Sequence, residues 1–192
     1  MARLKKAEYL INGETMVILP HYNEHGHLFS LVMEWGRELL VSEKPMEIIK
    51  NNCLFHGSSY QGRVEGAAHL TKYNRMVPIM ICNRSSIYFF PTHSPKTESC
   101  IWIAHGHVKE IVPSDADSCQ VILSNHRAIP IKVSRAAMEI KVNRTAQFRH
   151  LMSVQDMQSD RSNRTEQFSQ LEQSVIMEST GAYSFSQNTS HF

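Results

Sequence analysis

The 192-residue chain has no run approaching the ~18–20 consecutive apolar residues of a membrane span. The opening MARLKKAEYL is positively charged, but no apolar run follows it. No signal peptide is read, and the expected compartment is the cytoplasm. Cysteine is scarce. Cys53, Cys82, Cys100 and Cys119 are widely spaced and form no C-x-x-C, so buried small thiols are expected rather than disulfides. Internal repeats are absent. There is no Gly-Lys-Ser/Thr phosphate loop, and Gly57-Ser58-Ser59-Tyr60-Gln61 lacks the closing glycine of a serine-nucleophile elbow. Zinc-finger, helix-turn-helix and RNA-recognition signatures are missing too.

Glycine is also sparse, but three of the eight fall within residues 57–66. Hydrophobic residues make up 42%, enough for a core in one domain with a tail. The net charge of +2 hides an uneven distribution. Residues 151–192 hold five acidic and two basic side chains. Residues 127–149 hold Arg127, Lys132, Arg135, Lys141, Arg144 and Arg149 against Glu139 alone. Such a cluster can neutralise phosphates and release counterions, or it can be a solvated face.

The pattern predicts an α+β fold, mainly antiparallel β, as a sandwich or a partly open barrel. Residues 8–49 read as strands. Asn12-Gly13 marks a hairpin between apolar runs, Pro20 closes "ETMVILP", and "ELLVSEKPMEII" forms a further extended run around Pro45. Ser58 with Gln61 fits a capping box for a short Gly-rich helix near 60–72. Gly62 and Gly66 weaken that helix by roughly 1 kcal/mol each relative to Ala. Such a helix suits close backbone approach to another molecule. Short strands follow from 77 to 133, with "CIWIAHGHVKEIV" read as one of them. Ser134 caps a helix near 135–152. Residues 1–152 are the expected domain, and 153–192 a Ser/Gln-rich tail. In the tail, Asn163 and Glu166 could cap a short helix, and the last dozen residues read as disordered.

Two chemistries are open. Ser58, Ser59, Tyr60 and Arg63 at a helix start suit a nucleic-acid backbone; the plainer alternative is a glycine-rich crossover packed on the sheet. His105 and His107, at i and i+2 on a strand, could hold a metal with Cys100. A half-buried histidine pair at a strand end is the simpler reading.

The run CLFHGSSYQGRVEGAAHLTK resembles the signature of the ComK family of bacterial competence transcription factors. The matching core falls on Phe55, Gly57, Ser58, Ser59, Tyr60, Gly62, Arg63 and Gly66. CIWIAHGHVKE, Phe90-Pro91-Thr92, Arg144-Thr145-Ala146 and INGETMVILP resemble further family motifs in the same order. The resemblance covers about residues 8–152 and implies several things. The protein would activate transcription of DNA-uptake and recombination genes, with no enzyme activity and no cofactor. It would bind paired A/T-rich promoter boxes in double-stranded DNA, largely through the minor groove, as a homodimer that assembles further. RNA polymerase is then a candidate partner, and the location is cytoplasmic and nucleoid-associated. Arg63 becomes the first candidate for groove contact, since narrow A/T minor grooves attract arginine. Ser58, Ser59, Tyr60, Lys72 and Arg75 support it, and Lys132, Arg135, Lys141, Arg144 and Arg149 would hold flanking phosphates. The acidic tail departs from the family's more basic C-terminal region, which puts recognition by a Clp protease adaptor in doubt. Two other readings stay open: a paralogue acting as a non-DNA interaction module, and a His/Cys metal-dependent enzyme.

Overall fold

Neighbouring apolar residues on one strand point to opposite faces of a sheet. Here both faces are covered, so nearly continuous apolar strands result. The computed structural model describes residues 4–180, with side chains described over 7–159. The elements run β1 (Leu4–Lys6), β2 (Thr15–Tyr22), β3 (Leu28–Glu34), β4 (Glu38–Val41), α1 (Pro45–Phe55), α2 (Tyr60–Thr71), β5 (Ile79–Cys82), β6 (Ile87–Pro91) and β7 (Trp102–Ala104). A 3-10 turn (His105–His107), β8 (Val108–Asp115), β9 (Ser118–Leu123), β10 (Ala128–Ile131) and α3 (Arg135–Thr180) complete the order. The chain divides into two compact units, Met1–Leu151 and Met152–Phe192.

The large sheet has seven strands in the order β1-β4-β3-β2-β7-β6-β5, and the small sheet three, β10-β9-β8. Among the described residues, only β1 and β4 pair in parallel. Three antiparallel meanders build the rest: β2-β3-β4, β5-β6-β7 and β8-β9-β10. The first two join where Val17 pairs with Ile103 and Ile18 with Trp102.

Ile18, Val32, Phe89 and Trp102 face one core, closed by Ile48, Ile49 and Cys53 of α1 and by Tyr60 and Val64 of α2. Val17, Met33, Phe90 and Ile103 face the other. That second core is closed by Cys119, Val121 and Leu123 of the small sheet and by Met138 and Val142 of α3. The fold is thus α+β and mainly antiparallel, as expected. The sheets stack about the second core, and neither closes into a barrel. All four cysteines are free.

Several local expectations fail for identifiable reasons. The extended run around Pro45 is helical from that residue. Pro45 stands at the first helical position, where a missing N–H is harmless, and the Lys44 N–H donates to the Glu47 carboxylate at 3.1 Å. Asn12-Gly13 makes a turn but no hairpin. Residues 9–11 bond instead to buried Asn52 of α1: the Ile11 N–H donates to Asn52 Oδ1 at 2.7 Å, and Asn52 Nδ2 donates to the Tyr9 carbonyl at 2.8 Å. Pro20 does not close β2, which runs on to Tyr22. Beyond Ile18 the β7 edge of β2 carries no ladder, so proline is tolerated. CIWIAHGHVKEIV is not one strand. The 3-10 turn breaks it and sends β7 and β8 into different sheets.

The cap of α2 is Ser59, one residue later than expected. Helix α3 begins after Ser134 as expected but continues to Thr180, so Asn163 and Glu166 fall inside a helix rather than at the start of one. The reading of the last dozen residues falls mostly on residues outside those described.

Candidate nucleic-acid interface

Helix α2 carries the glycine-serine signature. The Ser59 hydroxyl accepts from the Gly62 N–H at 3.0 Å, a standard N-cap. Half-buried Ser58 lies just outside the helix. Tyr60 turns inward and packs edge-on against fully buried Trp102, with ring centroids 6.2 Å apart. Burial pushes its phenol up to about 12. Outward, Gln61, Gly62, Glu65, Gly66, His69 and Lys72 form one exposed face. A Cβ at Gly66 would meet nothing within 4 Å, and one at Gly62 only the hydroxyls of its own capping serines. Among the described residues nothing else packs against the Cβ side of these two glycines. The bared helix backbone faces outward.

Arg63 does not share that face. Its guanidinium lies half-buried between α1, α2 and β5. Nη1 donates to the Met80 carbonyl at 2.5 Å, and Nη2 to the carbonyls of His56 at 3.1 Å and Cys53 at 3.5 Å. The residue expected to enter a DNA groove here ties carbonyls at the end of α1 to β5.

The far end of α2 gathers the basic residues. Lys72 takes a left-handed φ of +63° and caps the helix, its N–H on the Ala68 carbonyl at 2.8 Å. Met76 is also left-handed, at +47°. Between them the loop exposes Lys72 and Arg75. Helix α3 docks against this loop. The Arg144 guanidinium lies 4.7 Å from the Tyr73 ring centre, and the Tyr73 hydroxyl bonds to Gln147. Lys141 is buried, with its ammonium on the Met76 thioether. Burial pulls its pKa down, the Arg144 charge adds to this, and the Cys100 thiol opposes it.

Lys72, Arg75, Lys141 and Arg144 thus meet around residues 72–76, which sequence spacing could not show. Lys132 is exposed; its carbonyl lies 3.1 Å from His93 Nε2. Arg135 pairs with Glu139 at 2.7 Å, and Arg127 with Glu38. Arg149 donates to His105 Nδ1 at 3.0 Å and stacks over Tyr88. These last three point into the protein's own polar contacts.

His105 and His107 do not share a strand face. His107 bonds to the Ser124 hydroxyl and to the Gly13 carbonyl, each at 2.8 Å. Burial, then the neighbouring Arg149 charge, pulls the His105 pKa down. The Cys100 thiol is turned to the His93 carbonyl at 3.4 Å. Among the described residues no three His, Cys, Asp or Glu side chains gather as a metal site. Asn52, Tyr73 and Met76 escaped sequence reading. Only Asn52 left a signal, through its helical spacing from Ile48 and Ile49.

The family described as ComK protein matches residues 6–157. A curated relative, "Competence transcription factor" of Bacillus subtilis (strain 168), is 36% identical over 141 residues, which is 73% of each chain. No solved structure matches.

Proposed function

The chain belongs to the ComK family, and on that premise we propose that it is a DNA-binding activator of competence transcription rather than an enzyme. The observation that carries this reading is the likeness to a competence transcription factor across most of the sheet-bearing unit. The site geometry supports it in two ways. Exposed Lys72 and Arg75, with Arg144 beside them, form a cationic edge. The glycine face of α2 would let a phosphate backbone come close.

The ligand is double-stranded DNA with paired A/T-rich boxes, approached largely from the minor groove by a homodimer that assembles further. The protein works in the cytoplasm, on the nucleoid, with RNA polymerase as its downstream partner. Lys72, Arg75, Lys132 and Arg144 bind phosphates; Ser58 and the Ser59 cap border the same helix. Arg63 and Tyr60 hold α2 in place, buried Lys141 supports from within, and Arg135 and Arg149 act through their pairs with Glu139 and His105. Residues 1–152 are the DNA-binding domain and 153–192 a tail that modulates it.

The test is a salt-series binding isotherm on an A/T-box duplex and a scrambled duplex. The wild type should prefer the box. Lys72→Gln with Arg75→Gln should lower affinity for both duplexes and reduce the salt slope by about 2. Binding that ignores sequence would turn attention to a second reading, an interaction module that kept the fold. The pairing of Arg127, Arg135 and Arg149 with the protein's own side chains favours that reading.

A further inference from the structure

A groove of about 890 Å³ opens between α1, α2 and residues 94–100. Neither the glycine face nor the basic edge accounts for it. Its size is that of a site for a small organic ligand. Met46, Val64 and Tyr60 make an apolar floor, backed from the core by Trp102. This floor is rigid, because Trp102 is fully buried and Tyr60 is wedged edge-on against it. Three exposed lysines line its edge: Lys44 at the N-cap of α1, Lys50 within α1, and Lys96 from the opposite loop. The single acid on the lining, Glu98, already accepts from the Tyr22 hydroxyl at 2.9 Å. One wall thus offers an apolar surface and the rim offers a positive charge excess.

The geometry points to a binding site for an amphipathic carboxylate, with its apolar chain over Met46, Tyr60 and Val64 and its anionic head among Lys44, Lys50 and Lys96. A neutral apolar ligand would leave the three ammonium groups without a counter-charge. A cationic one would meet repulsion. A carboxylate satisfies rim and floor together. Helix α1 and its N-cap supply two of the lysines and α2 packs beside the helix, so occupancy would bear on the helix that carries the glycine face.

The experiment uses the full chain in a Trp35→Phe background. Trp35 is exposed, and its removal leaves Trp102 as the reporter of the groove floor. Dodecanoate, dodecanol and dodecyltrimethylammonium are titrated below micelle-forming concentrations, without DNA. Trp102 emission should change saturably with one equivalent of dodecanoate, and the other two probes should bind at least about tenfold more weakly. The Lys44→Gln, Lys50→Gln, Lys96→Gln variant should bring dodecanoate down to the level of dodecanol. Leu54→Asp, at an exposed lining position, should weaken dodecanoate without disturbing the fold. Equal affinity for the three probes, or a triple variant that binds dodecanoate unchanged, overturns the proposal. A triple variant that loses duplex affinity while keeping dodecanoate affinity also overturns it, and makes the lysines a phosphate track.

Discussion

Arg63 sits in the motif most specific to the family, and its guanidinium is aimed at the protein's own backbone. Replacing it with Ala would remove the guanidinium donor from the carbonyls of Met80 and His56. Loss of a charged donor from such contacts typically costs about 2 kcal/mol. Urea unfolding of Arg63→Ala should show that loss, and the folded variant should keep its box preference over scrambled duplex. Loss of preference with stability intact would return Arg63 to the groove. The sequence marked the residue as special but could not give its direction, because an arginine reaches equally far inward or outward.

His105 gives a pH prediction. Its pKa lies below the ordinary value of about 6.5, so between those two pH values the unfolded chain binds the extra proton. Stability therefore falls as pH drops through about 6.5 towards the folded-state pKa. His105→Gln, which keeps an acceptor for Arg149, should flatten that decline in denaturant midpoints compared between pH 7 and pH 5.5. An unchanged slope would show that other histidines carry it.

The elements were legible where burial is one-sided or turn chemistry is strong, as in β9 and α2. They were misread where a second partner decides. Pro45 looks like a strand interruption until Ile48, Ile49, Asn52 and Cys53 are seen sharing the buried face of a helix. Asn12-Gly13 turns the chain, but Asn52 claims the backbone that a hairpin would have used. No local signal marks a residue that donates across forty positions. Helix α2 ends on a lysine where glycine would be easier. A left-handed lysine costs about 1 kcal/mol relative to glycine, so Lys72→Gly should stabilise the protein by about that amount in thermal unfolding. The same variant should bind duplex more weakly, with a salt slope smaller by about 1. A variant more stable and equally tight would show that the Lys72 charge plays no part in binding.

At the scale of the molecule, the α+β class and the antiparallel bias could be read from composition and turn spacing. The strand order could not, because it depends on which meander edges meet. The same holds for the convergence of α3 with residues 72–76, which joins parts of the chain seventy positions apart. The family match ends at residue 157, and the acidic balance lies beyond residue 150. A chain ending at residue 157 should keep the cooperative unfolding of the full chain. It should also bind duplex more tightly at low salt, since a net negative segment is gone. Non-cooperative melting would show that the sheets need the remainder of the chain. The large sheet itself is two meanders spliced at a seam only two residue pairs long, Val17 with Ile103 and Ile18 with Trp102. Each meander closes over short loops, whereas the seam must bring together positions separated by nearly half the chain. Contacts of that span are slow to form, so seam closure is the natural last step of refolding, and trimming Ile18 should slow that step far more than trimming a residue inside either meander.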